Sequence, residues 1–179
     1  TKVFETVEAF TELAHYYNPK IRLIQGESGS QSRTGGHGAL WTAGWTEEIQ
    51  AKQLARHTIA DLMSGVHFTS YFSCMDMIEA LNGTVGDTNS YLDYGYFGVL
   101  GAEFDENGKS VGTYYKKPSY YALQNICSIF AEDFELCKMP LIFWGMVSDL
   151  TMDHDLKRTQ VVTGGFKNKN GRAFAYWYP

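Results

Sequence analysis

The chain has 179 residues, 44% of them hydrophobic and 20% charged, with a net charge of −5. That length holds one ordinary domain with a core of its own, and the composition excludes wholesale disorder. No Lys/Arg cluster relieves the acidity, so neither nucleic acid nor an anionic membrane is an expected partner.

Residues 1–17 carry Val3, Val7, Phe10, Ala14 and Tyr17 at helical spacing, and Pro19 stops the helix. Residues 20–25 form a short β-prone run, apolar on both faces, which suits a buried parallel strand. The Gly- and Ser-rich stretch 28–44 is too long for a mere connector, and long ordered loops are usually functional. Thr46 is the expected N-cap of a second helix running to about residue 64, with Glu47 and Glu48 suiting the positive end of its dipole. Ala51, Leu54, Ala55, Thr58, Ile59, Leu62 and Met63 form its apolar stripe, and Gly65 its stop. Residues 66–73 read as the next strand. This alternation predicts βαβ units and a parallel sheet.

An irregular segment is expected over 76–93. Strands over 94–104 and 109–115 flank residues 105–108, where Asn107-Gly108 predicts a type I′ hairpin turn. Pro118 suits a first helical turn, and Tyr120, Leu123, Cys127 and Phe130 mark the buried stripe of a helix reaching residue 134. The tail changes character: 141–148, 159–166 and 172–178 read as strands, with a turn over 167–171. A composition shift near residues 138–140 divides the chain into 1–138 and 139–179.

Cys74, Cys127 and Cys137 are odd in number and none lies in a CxxC pair, so neither a disulfide framework nor a zinc site is signalled. They are expected to be small buried hydrophobes. The longest strongly apolar run, 141–147, is too short to span a bilayer. The chain starts at Thr1 and enters a helical pattern almost at once, as a processed or longer polypeptide would. Aromatic residues make up 15%, which fits either a packed core or a surface that stacks on sugar rings.

Glu27 closes the first strand in the run Gln25-Gly26-Glu27-Ser28-Gly29. Ligand sites gather at the C-terminal ends of parallel strands. Period-two alternation puts Ile21, Leu23, Gln25 and Glu27 on one face. A carboxylate there can act as nucleophile or general base; the plain alternative is an exposed loop glutamate. His37 lies in the Gly-rich loop near Trp41 and Trp45, and is either a ligand contact or an ordinary loop histidine, with no metal-ligand partner at a recognised spacing. His57 and His67 read as structural. The second strand ends in Tyr71-Phe72, with Asp76 beyond. Rings there could stack on a sugar while the carboxylate accepts hydroxyl hydrogen bonds; the alternative for Asp76 is a turn or helix cap. Local signatures for Ser-His-Asp catalysis and for phosphate-binding glycine loops are missing.

In order and spacing these pieces resemble the C-terminal portion of the clan-A retaining glycoside hydrolases, which are (β/α)8-barrel enzymes. Residues 19–29 resemble their seventh strand, which ends in the nucleophilic glutamate. Residues 47–64 resemble the seventh helix, and 66–73 with Asp76 the eighth strand. Residues 96–100, the Asn-Gly turn and 117–124 resemble the eighth loop and closing helix, and the tail resembles the β-sandwich that often follows such barrels. A complete barrel takes about 250 residues, so only part of one is implied. The resemblance implies an α/β fold: the last part of a TIM barrel over 1–138, then the beginning of an antiparallel β-sandwich over 139–179. It implies retaining hydrolysis of O-glycosidic bonds in a poly- or oligosaccharide, with Glu27 as nucleophile and Gln25, His37, Trp41, Tyr71, Phe72 and Asp76 as substrate-binding residues. No cofactor is implied; the expected partners are the carbohydrate substrate and the missing N-terminal part of the barrel. Export from the cytoplasm is a family expectation.

The strands that would supply the general acid/base, an Asn-Glu pair, lie outside the sequence. Glu47, Glu48, Glu79 and Glu103 fall at positions that do not replace it. The isolated chain is therefore expected to be inactive, and a non-catalytic carbohydrate-binding or structural fragment is the competing reading.

Overall fold

The structure, a computed structural model, describes residues 2–34, 44–80, 92–138 and 161–177. Helix α1 spans Lys2–Tyr17. Its half-buried positions are Phe4, Val7, Thr11 and Ala14, spaced three and four apart, whereas Phe10 and Tyr17 of the expected stripe are exposed. Helix α2 spans Glu47–Ser64. Its ends form as the sequence predicts: Ile49 N–H donates to Thr46 Oγ1 at 3.2 Å, and Gly65 takes the left-handed conformation at φ 77°. Helix α3 spans Pro118–Ile129, with Pro118 in its first turn. It ends short of residue 134 because Phe130 and Phe134 both turn onto Phe166, with ring centroids 4.8 and 5.5 Å away.

Strand β1 (Ile24–Ser28) pairs in parallel with β2 (Phe68–Tyr71), aligning Ile24 with Phe68 and Ser28 with Tyr71. The register slips between Gln25 and Ser28, so Gly26 and Glu27 occupy an irregularity in the strand. The region expected to be irregular contains an antiparallel pair, β3 (Met77–Ala80) with β4 (Leu92–Gly95). Strands β5 (Leu100–Phe104) and β6 (Ser110–Lys116) form the expected hairpin. Its turn is not type I′, because Gly108 alone takes positive φ there. The Asp105 side chain decides this by accepting the N–H groups of Asn107 and Lys109 through Oδ1. Strands β7 (Glu135–Cys137), β8 (Val162–Asn168) and β9 (Gly171–Trp177) form an antiparallel sheet in that order. The β7–β8 pairing crosses the division between residues 138 and 139. The expected strand over 141–148 lies outside the described residues.

These pairings correct the expected fold. A TIM-barrel portion needs successive parallel strands under a covering layer of helices. Among the described residues β1 and β2 are the one parallel strand pair, and the other strand pairs are antiparallel. The sheets hold two or three strands, and none closes into a barrel. The physical reason lies after Ser73, where the chain leaves the βα alternation for two-stranded antiparallel pairs. The β1–β2 pair is not deeply buried either: Ile24 is 59% and Phe68 57% exposed. The described tail is one three-stranded sheet, with no second layer to make a sandwich.

The apolar core is small. Leu54 of α2, Val99 and Ile126 of α3 form its centre, with Tyr71, Tyr120, Leu123 and Phe130 packed around it. Beside it lies a buried polar layer built on Gln50, Asp76, Lys117 and Ser119. Cys74 and Cys127 are exposed free thiols rather than core residues, and Cys137 is half-buried and also free.

Candidate functional site

Parallel pairing brings the ends of β1 and β2 to the same side. Ser28 Oγ donates to Ser70 O at 2.9 Å, and Phe72 N–H donates to Ser28 O at 2.6 Å. The two backbones pass so closely that a Cβ on Gly29 would stand 2.3 Å from Phe72 O. Glu27, the residue before Ser28, is exposed, and its side chain makes no hydrogen bond or ion pair among the described residues. Phe72 is partly exposed and packs edge-on against Phe97 at 5.6 Å. The backbones of Glu27, Tyr71 and Phe72 thus lie at one end of the strand pair, while the Tyr71 hydroxyl turns to Ser30.

Gln25 does not share the setting of Glu27, because the slip in register breaks the alternation. Its amide nitrogen lies 3.4 Å from His57 Nε2 on α2. His57 Nε2 also lies 3.5 Å from Asp61 Oδ2, whose carboxylate accepts Thr69 Oγ1 at 2.8 Å. Tyr71 turns its hydroxyl to within 3.3 Å of Ser30 Oγ. Burial is the main reason its pKa is raised, against the lowering effect of Ser30.

Asp76 stands elsewhere than at an open subsite. Its side chain is fully buried, and Lys117 Nζ donates to its Oδ1 at 2.6 Å. Oδ1 also accepts Gly98 N–H at 3.0 Å and Oδ2 accepts Ala102 N–H at 3.2 Å. Lys117 Nζ donates further to Ser32 Oγ at 2.7 Å. The pair therefore ties the segment after Glu27 to the segment after Phe72. Desolvation lowers the Lys117 pKa, with Asp76 opposing it. Gln50 completes the layer: its Nε2 donates to Ser30 O at 3.0 Å and Gly98 O at 3.2 Å, and its Oε1 accepts Ser119 Oγ at 2.8 Å.

Arg33 fixes the outer end of the same segment. Its guanidinium donates to both carboxylate oxygens of Glu103 and to Tyr115 Oη, and it covers the Tyr96 ring at 5.0 Å. Tyr115 Oη donates to Glu47 Oε1 at 2.7 Å. The Glu103 hydrogen bond raises the Arg33 pKa and the same contact lowers that of Glu103. Glu47 and Glu103 are thus joined through Arg33 and Tyr115.

His37 and Trp41 lie outside the described residues. The residues that sequence reasoning missed are Ser30, Gln50, Arg33 and Lys117, which hold the strand ends in place. Lys117 carried one weak signal, its place just before Pro118 at a helix start. No family model matches the chain, and no curated protein matches it.

Proposed function

We propose that the chain carries the nucleophile of a retaining glycoside hydrolase acting on O-glycosidic bonds of a poly- or oligosaccharide. The observation that supports this most is Glu27: an exposed carboxylate without side-chain partners among the described residues, at the C-terminal end of a strand paired in parallel with its neighbour. In this reading Glu27 attacks the anomeric carbon and displaces the leaving oxygen, giving a glycosyl ester that water then hydrolyses. A second carboxyl group about 5–5.5 Å away must protonate the leaving oxygen and later activate the water. In this reading none of the described carboxylates fills that role, and the chain alone is expected not to turn over. Phe72 offers a ring face to the sugar, while the Asp76–Lys117 pair keeps the strand ends in position.

Kinetics of the complete protein test this reading. Glu27→Gln should lower kcat by about 10³-fold or more. In Glu27→Ala, azide should restore turnover of an activated aryl glycoside and give a glycosyl azide of inverted configuration. A Glu27→Gln enzyme within a few-fold of wild type contradicts the proposal.

A non-catalytic carbohydrate-binding role is the second reading. It is favoured by the exposed rings of Phe174 and Tyr176 at alternate positions of β9. It predicts sugar binding without turnover, insensitive to Glu27→Gln.

A further inference from the structure

A separate cleft of about 210 Å³ lies between the end of β1 and helix α2, and Glu27 does not line it. Trp45 and the buried Leu54 give it apolar walls. Polar groups converge from three elements. Ser30 follows β1, Tyr71 ends β2, and Gln53 and His57 project from α2. The Ser30 and Tyr71 hydroxyls lie 3.3 Å apart and Tyr71 Oη also donates to Ser30 O at 3.5 Å, so what they keep for an occupant is lone-pair accepting capacity. Both contacts of the His57 ring, to Gln25 and to Asp61, are made by Nε2. Its Nδ1 has no partner among the described residues. The buried Asp61 carboxylate, which accepts from Thr69 Oγ1, lies 3.5 Å from that same Nε2.

The lining fixes the chemistry of an occupant. Among the described residues no Asp, Glu, Lys or Arg lines the cleft, so it offers no counter-ion to a charged ligand. Hydroxyl, amide and imidazole groups sharing the cleft with an indole suit a molecule with a polar rim and a flat apolar face. The cleft is roomy enough for several waters, and so for a small ring.

We propose that this cleft binds a neutral cyclic polyol of monosaccharide size, at a site distinct from the Glu27 carboxylate. The proposal does not depend on the role of Glu27. A ligand of about a dozen heavy atoms binds in the millimolar range at ordinary ligand efficiency.

The test is fluorine NMR of the full chain labelled with 5-fluorotryptophan, titrated separately with D-glucose and with myo-inositol. The Trp45 resonance is assigned by its loss in Trp45→Phe. The expected result is a saturable shift of that resonance with at least one probe. Binding should be about tenfold weaker in Tyr71→Phe, which keeps the ring and removes only the hydroxyl. It should persist in Glu27→Gln, which separates this site from the nucleophile. No saturable shift with either probe up to about 100 mM, well past the millimolar range, overturns the proposal. So does a shift that Tyr71→Phe leaves unchanged, or one that Glu27→Gln abolishes. The wild-type titration needs no substitution, so a variant that fails to fold does not remove the test.

Discussion

Lys117 Nζ lies 2.6 Å from Asp76 Oδ1, and both side chains are completely buried. Two charges in a dry interior are tolerable only when paired and further hydrogen-bonded, and this pair has Ser32, Gly98 and Ala102 as additional partners. Lys117→Met leaves the Asp76 carboxylate without its counter-ion and should cost about 3–5 kcal/mol in urea unfolding. The double variant Asp76→Leu/Lys117→Met should lose much less than the sum of the single losses. Additive losses contradict the pairing.

Close backbone approach makes a second prediction. A Cβ on Gly98 would stand 2.1 Å from Asp76 N and from Met75 C, so Gly98→Ala must push apart the segments that Asp76 holds together. A loss of more than about 3 kcal/mol is expected from overpacking against immovable backbone. Gly26→Ala is the control, since nothing lies within 4 Å of its Cβ position. It should change unfolding by no more than about 0.5 kcal/mol. Equal effects at the two sites contradict the close approach at Gly98.

Much of this was legible locally, and the reasons differ by element. Helix α2 could be read end to end because its signals are short-range: the Thr46 cap, the apolar stripe and Gly65. The strand-end position of Glu27 was also visible, since it directly follows a β-prone run. Its register was not, because the slip between Gln25 and Ser28 depends on pairing with residues more than forty positions away. The Lys117–Asp76–Ser32 cluster was illegible for the same reason. Each of its members is an ordinary surface residue type, and only the fold brings them together. The barrel expectation failed because one βαβ unit was extended to its neighbours, where antiparallel pairing of β3 with β4 and β5 with β6 wins.

The Thr46 cap gives a simple stability prediction. Thr46→Ala removes the acceptor for Ile49 N–H and should cost about 1 kcal/mol of unfolding free energy. Thr46→Ser keeps the hydroxyl and should restore most of it. A neutral Thr46→Ala change contradicts the cap.

Tyr71 carries the pH prediction. Burial raises its pKa above the ordinary value of 10.0, so the folded chain keeps this proton after the unfolded chain has lost it. The stabilising contribution is complete below pH 10 and is lost as pH rises through the folded pKa. Thermal unfolding scanned upward from pH 9 should show stability falling above about pH 10, and less steeply in Tyr71→Phe. Parallel curves for the two proteins contradict the shift.

The central claim is that Glu27 is a glycosidase nucleophile, and trapping its ester tests that most directly. The complete protein would be treated with 2-deoxy-2-fluoroglycosyl fluorides of several sugars, digested, and its peptides sequenced by mass spectrometry. The account predicts one added fluorosugar, on the tryptic peptide of residues 23–33 and at Glu27 itself, with none in Glu27→Gln. Attachment at another carboxylate, or an unmodified Glu27 with every sugar, would contradict it.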